Sequence, residues 1–238
     1  SNFLNTKFSQ TTRVSDVYLS YGVQYRKNLK NDWSLTLGAT GSANSNINIK
    51  KSTFVATYKN DFGVEVLKDT VINTVDVKDV IAIPSALGAG FVIRKGDKWL
   101  LGFDYTMQNW SEFNYFGQQG LLKNSQKIAV GAQYIPNKNA GTKEPYGKKM
   151  FYRMGFRYAD SYLVLNNTPL TDYAITFGAG FPLRKIKIGE VYSQSVINVG
   201  FEIGQRGTVA NNLIREQYVN AFVSFSLNDR WFIKRKYD

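Results

Sequence analysis

The chain has 238 residues, enough for a sizeable core, and a formal charge of +12 from 30 Lys and Arg against 18 Asp and Glu. Cysteine and histidine are absent, which removes disulfides, thiolate metal sites, the commonest zinc ligand and the commonest general base. Aromatic residues reach 15% while mean hydropathy is −0.29, and no apolar run approaches the roughly 18 residues that a transmembrane helix requires.

The opening SNFLNTKFSQTTR is polar, without the pattern of a signal peptide, and reads as a mature, cleaved or truncated end. From Val17 the period is two. Val17, Leu19, Tyr21, Val23 and Tyr25 alternate with Tyr18, Ser20, Gly22 and Gln24, and Trp33, Leu35, Leu37 and Ala39 alternate with Ser34, Thr36 and Gly38. Two weaker strands are predicted at Thr53 to Tyr58 and Val64 to Leu67. Strong ones follow at Leu87 to Arg94, Trp99 to Met107, Ile128 to Tyr134, Met150 to Tyr158, Tyr173 to Phe181, Ile197 to Gly204 and Val219 to Leu227. Phe222 breaks the last pattern. No helical period is sustained, so the fold class is all-β and antiparallel.

The strands run to about nine to eleven residues, the length of a tilted strand crossing a bilayer. Their apolar faces begin or end on Tyr25, Trp33, Trp99, Tyr134, Tyr158 and Tyr173, the aromatic girdle of an outer-membrane barrel. The opposite faces carry glycines, amides and the charges Asp104, Arg153, Arg157 and Glu202, which a polar lumen would accommodate. A soluble β-sandwich explains the alternation equally well, but the strand length and terminal aromatics less well. The expected fold is therefore a transmembrane β-barrel in a Gram-negative outer membrane, in contact with membrane lipid and lipopolysaccharide. Many cations fall in expected turns such as Lys27, Lys30, Lys95, Lys98, Arg184 and Lys185, which argues against nucleic acid as a partner.

Short links follow Arg26 and Arg94, moderate ones follow Ile135 and Leu183, and longer polar loops are expected at Gly41 to Lys51, Lys68 to Pro84, Asn109 to Gln126, Ala159 to Asp172 and Gln205 to Glu216. With short turns periplasmic and long loops outside, about eleven strands are visible, the last descending to the periplasm. Bacterial barrels have even strand numbers, so an odd number of strands is expected before Ser1. The expected layout is a lead-in at 1–16, barrel strands at 17–228 and a basic periplasmic tail at 229–238.

The stretch IPSALGAGFVIRKGDKWLLGFDYTMQNWSEF sets Pro84 before a strand, a short charged turn at Gly96 to Lys98, a mid-strand Asp104 and the end Trp110, Ser111, Phe113. It resembles FadL-type outer-membrane transporters, as do MGFRYADSYLVLNNTPLTDYAITFGAGFPL and the ending SLNDRWFIKRKYD. The resemblance implies a fourteen-stranded barrel with an N-terminal hatch, three of the strands and the whole hatch lying upstream of Ser1, and uptake of long-chain fatty acids or other hydrophobic small molecules.

For such a ligand the candidate contacts are Trp110, Phe113 and Phe116 in one loop and Leu163 and Leu165 in another. The same side chains could instead extend strands and pack on each other. Arg153 and Arg157 can pair bidentately with a carboxylate head group, although internal salt bridging with Asp104 and Glu202 is the plainer role for the lumen charges. No nucleophile–base pair, phosphate loop, cofactor or metal site is legible, so an enzyme is not expected. The competing readings are an accessory or shuttle barrel that binds a protein partner in an outer-membrane secretion complex, and a general diffusion porin.

Overall fold

The computed structural model describes residues 4–61, 63–115, 117–120, 122–141, 143–188 and 191–228. In chain order its strands are β1 (Asn5–Val14), β2 (Ser20–Asn28), β3 (Trp33–Ser42), β4 (Ser45–Asp61), β5 (Val64–Ile83), β6 (Ala86–Lys95), β7 (Trp99–Gln108), β8 (Asn114–Tyr115), β9 (Gln118–Gln119), β10 (Ser125–Tyr134), β11 (Phe151–Leu165), β12 (Thr168–Pro182), β13 (Ile186–Ile188), β14 (Val191–Ser193), β15 (Val196–Gly207) and β16 (Arg215–Ser226). Among the described residues the only helical elements are three single 3-10 turns. The all-β, antiparallel reading holds. The expected tail at 229–238 lies outside the described residues.

Two compact units interleave along the chain. The larger contains a nine-stranded sheet in the order β16-β15-β12-β11-β10-β7-β6-β3-β2, made of the nine strongly alternating segments. Two of its turns are short because the local chemistry permits it. Asn31 and Asp32 both take left-handed φ (57° and 61°) between β2 and β3, as a type I′ hairpin turn requires, and Asn and Asp tolerate that region best after Gly. Asn166 and Asn167 do the same between β11 and β12, at φ 48° and 58°.

Register decides what each face carries. Across β15 and β16, Val199, Phe201 and Ile203 stand opposite Val223, Ala221 and Val219, while Asn198, Gly200, Glu202 and Gly204 stand opposite Ser224, Phe222, Asn220 and Tyr218. Phe222 is thus no break in the apolar face. It belongs to the polar face, where its ring lies over Gly200, so close that a Cβ added there would sit 2.2 Å from it. The apolar face is exposed on every strand of the sheet: Val23 is 69% accessible, Val219 69% and Phe225 67%, with Leu37, Phe91, Leu101, Val130, Met154, Phe177 and Phe201 also exposed. A sandwich would seal these side chains between two sheets, and the chain does not do so.

The smaller unit holds a second sheet in the order β1-β4-β5-β8-β9. The two weak strands of the sequence pattern belong here, as parts of a hairpin whose arms have 17 and 20 residues. At about 3.3 Å per residue these arms run some 55–65 Å, well beyond one bilayer crossing. The segments Gly41 to Lys51 and Lys68 to Pro84, expected as loops, lie largely in these arms.

The reason is a series of bulges on β5. Its register against β4 slips at Lys51/Thr53, Val55/Ala56 and Thr57/Tyr58, each time with the extra residues on β5, and Asp76 sits at φ 52° within the first slip. Each bulge bends the strand and reverses the phase of its side chains, which erases a period of two. The hairpin's buried apolar side chains are Ile47, Ile49 and Ala56. Asp16, in the link after β1, accepts bonds from the Val17 amide (2.8 Å), the Asn48 amide (3.0 Å) and Asn48 Nδ2 (2.9 Å), and these bonds hold its carboxyl below the ordinary range.

Candidate functional site

The polar face of the nine-stranded sheet is built where glycines alternate with charges. Opposite one another on that face lie Arg157 of β11, Ala174 of β12, Gly204 of β15 and Tyr218 of β16. The small residues leave room for long side chains to lie flat over the strands. Arg157 reaches across two of them: Nη1 is 3.1 Å from Asp172 Oδ1 and Nη2 is 3.1 Å from Glu202 Oε1, with Nε donating to Glu202 Oε2 at 3.3 Å. Asp172 also accepts from Arg206 Nε at 2.8 Å and from the Tyr218 hydroxyl at 3.1 Å, and Arg157 donates to that hydroxyl as well. Two cations and two anions cancel. The Asp172 and Glu202 side chains are only 12% and 18% exposed, so each carboxylate's charge is met by protein donors.

Arg153 lies four residues earlier on the same face. It donates from Nε to Gln133 Oε1 (2.8 Å) and from Nη1 to Asn198 Oδ1 (2.7 Å), with its guanidinium over the Phe151 ring at 5.2 Å. It therefore keeps a positive charge among neutral amides, beside a concave region of about 550 Å³ that Asp104, Arg157, Thr176 and Asn198 also line. Asp104 of β7 rests on Gly90, where an added Cβ would fall 2.2 Å from its carboxylate oxygen and 2.7 Å from the Phe103 carbonyl.

The candidate ligand contacts are divided between the two units. Trp110 is in the 3-10 turn Trp110–Glu112 of the smaller unit, its ring 5.7 Å from that of Phe113. Leu163 and Leu165 are exposed at the far end of β11, in the larger unit. Phe116 lies outside the described residues. Arg157 pairs with Glu202, whereas Asp104 and Arg153 line the same concave region as Arg157 without joining that pair.

Three members of the ion network are absent from the sequence-derived set: Asp172, Arg206 and Tyr218. The signal was present, since all three share the side-chain phase of Arg157 and Glu202. They were missed because the strands continue for three to five residues beyond the point where apolar alternation stops. No group of three or more His, Cys, Asp or Glu is placed to hold a metal ion among the described residues.

Antiparallel sheets, an exposed apolar face and a polar face bearing a charge-balanced ion network are features of outer-membrane proteins. The model of the BamG family matches residues 2–238, and the chain belongs to that family. No curated protein and no solved structure matches the chain. The family match corrects the resemblance to FadL-type transporters, and with it the expectation of long-chain fatty-acid uptake and transport. The features that carried the resemblance were a Pro before a strand, a short charged turn, a mid-strand Asp and aromatic strand ends. Each is a short feature that many antiparallel β-hairpins carry, so different families can share them.

Proposed function

We propose that this BamG-family chain is an integral subunit of a Bam-related complex at the outer membrane, acting by binding a protein partner rather than by catalysis. The observation that carries the reading is the family match across residues 2–238. The accessory-barrel alternative, a barrel that binds a protein partner in an outer-membrane complex, fits that family better than solute uptake does. An apolar stripe exposed on all nine strands supports integration in lipid, because such a continuous surface is costly in water.

The smaller unit offers the partner surface. Among the described residues, only Ile81 and Ala82 of β5 pair with a strand other than β4, and Val71 and Val75 are 62% and 71% exposed along the remainder. An edge of this kind can receive an extended segment of another protein through main-chain hydrogen bonds, while the bulges along β5 discourage indiscriminate pairing.

The test is affinity purification from outer membranes in a mild detergent. The chain is expected to bring down barrel-assembly subunits at constant stoichiometry, and a Val71→Lys/Val75→Lys variant is expected to weaken that association while still fractionating with the membrane. Recovery of the chain as a lone species under those conditions overturns the reading.

A further inference from the structure

On the exposed apolar face of the nine-stranded sheet, near the end that carries the Gly96 to Lys98 turn, lies a groove of about 640 Å³, within the range of roughly 300–1,000 Å³ typical of small-molecule sites. Its floor is kept low by Ala132 and Ala179, and its walls are aromatic: Trp99, Tyr134, Tyr152 and Phe177. Register puts Trp99, Tyr134 and Tyr152 side by side on neighbouring strands, with the Trp99 and Tyr134 rings 4.3 Å apart. The wall is continuous.

Charge is concentrated at this same end. In the connections 96–98, 135–150 and 183–185 the described acids are Asp97 and Glu144, and each is taken by a lysine, Lys138 at 3.1 Å and Lys148 at 3.1 Å. Lys98, Lys143, Lys149, Arg184 and Lys185 remain in excess. Lys98 stands at the groove itself, its Nζ 5.8 Å from the centre of the Tyr134 ring. The opposite end of the sheet has no such excess, since Lys123, Lys127, Arg206 and Arg215 are nearly matched by Asp160, Asp172 and Glu216.

We propose that this groove is a binding site for an anionic phospholipid of the periplasmic leaflet, with an acyl chain on the Ala132–Ala179 floor and the phosphate at Lys98, Arg184 and Lys185. The proposal rests on the membrane-integral reading. Hydrocarbon fits the aromatic walls, and the lysine over Tyr134 marks where the head group leaves lipid for water, as interfacial aromatic and basic residues do. A soluble anion would use the cations and leave the groove empty. An acidic protein would use the cations and have no need of a depression in the lipid-facing surface.

The full chain, purified in mild detergent, is to be titrated with phosphatidylglycerol or phosphatidylcholine of identical acyl chains, and retained lipid counted by native mass spectrometry. Phosphatidylglycerol is expected to be retained in preference. Lys98→Gln/Arg184→Gln/Lys185→Gln should weaken retention by about a hundredfold, at roughly fivefold per cation. Ala132→Trp, which fills the groove and leaves every cation in place, should also release the lipid. Heat-modifiable gel mobility establishes that each variant remains folded.

Equal retention of the two lipids, or unchanged retention in either variant, overturns the site. So does displacement by millimolar inorganic phosphate, which would indicate a head-group contact alone. Loss of a stoichiometric acidic protein from the charge variant, with lipid retention unchanged, would assign the cations to that protein instead. An alkaline wash separates the two levels: a chain stripped from membranes defeats the integral reading, whereas one retained without lipid selectivity defeats only this inference.

Discussion

Replacing Arg157 with Met tests whether the charges of the polar face are structural. Met keeps most of the side-chain volume and removes both ion pairs. Asp172 retains Arg206 at 2.8 Å and the Tyr218 hydroxyl at 3.1 Å, so its charge stays compensated. Glu202 loses the guanidinium that holds both of its oxygens, and its side chain is 18% exposed. An exposed pair contributes about 0–1 kcal/mol, whereas breaking a buried one costs about 3–5 kcal/mol because a charge is stranded. A mostly buried Glu202 beside a compensated Asp172 falls between them, at about 2–3 kcal/mol.

The assay is equilibrium urea unfolding in phosphatidylcholine vesicles, followed by tryptophan fluorescence. The double variant Arg157→Met/Glu202→Gln removes the stranded charge as well, and should return to within about 1 kcal/mol of the parent. A loss under about 0.5 kcal/mol for Arg157→Met, or a double variant equal to the sum of its single changes, would refute the reasoning, because either result means that water already screens the face.

Two further outcomes follow from local geometry. Gly90→Ala places a methyl 2.7 Å from the Phe103 carbonyl and against Asp104; since the backbone cannot swing aside, a loss of about 1–3 kcal/mol is expected in the same urea assay, and a neutral result would show that β6 and β7 can separate. The hydrogen bonds to Asp16 hold its folded-state pKa below the ordinary 3.8, so their contribution is present above pH 3.8 and is lost as pH falls through the depressed value. The Asn48 amide should therefore keep its hydrogen-exchange protection when acidified to pH 3.8, and loss of that protection near pH 5 would contradict the assignment.

The nine strands of the large sheet were legible because each obeys one rule without interruption: alternate side chains meet two different surroundings. Tyr134 and Trp99 could be recognised as strand ends, and Arg157 and Glu202 as residents of one polar face, from phase alone. β5 could not be recognised at its full length. Its bulges near Lys68, Val71 and Asp76 shift the phase of everything that follows, and a strand of shifting phase reads as a loop. The extensions of β11 to Leu165 and of β15 to Gly207 were hidden for a related reason, since apolar alternation stops before backbone pairing does.

The amino-acid sequence by itself determined the covalent alternation, and hence an all-β chain with one apolar and one polar face. It also supplied, at Asn31, Asp32, Asn166 and Asn167, residue types that take left-handed φ most readily after Gly. Only the tertiary structure decided which strands neighbour one another, and therefore that Arg157 meets Asp172 and Glu202, that Phe222 covers Gly200, and that Lys98 stands over Tyr134. The physical reason is that side-chain phase is a property of one strand, whereas ion pairs, ring contacts and grooves depend on the register between strands. Register is set by turns, bulges and backbone hydrogen bonds summed over the whole sheet.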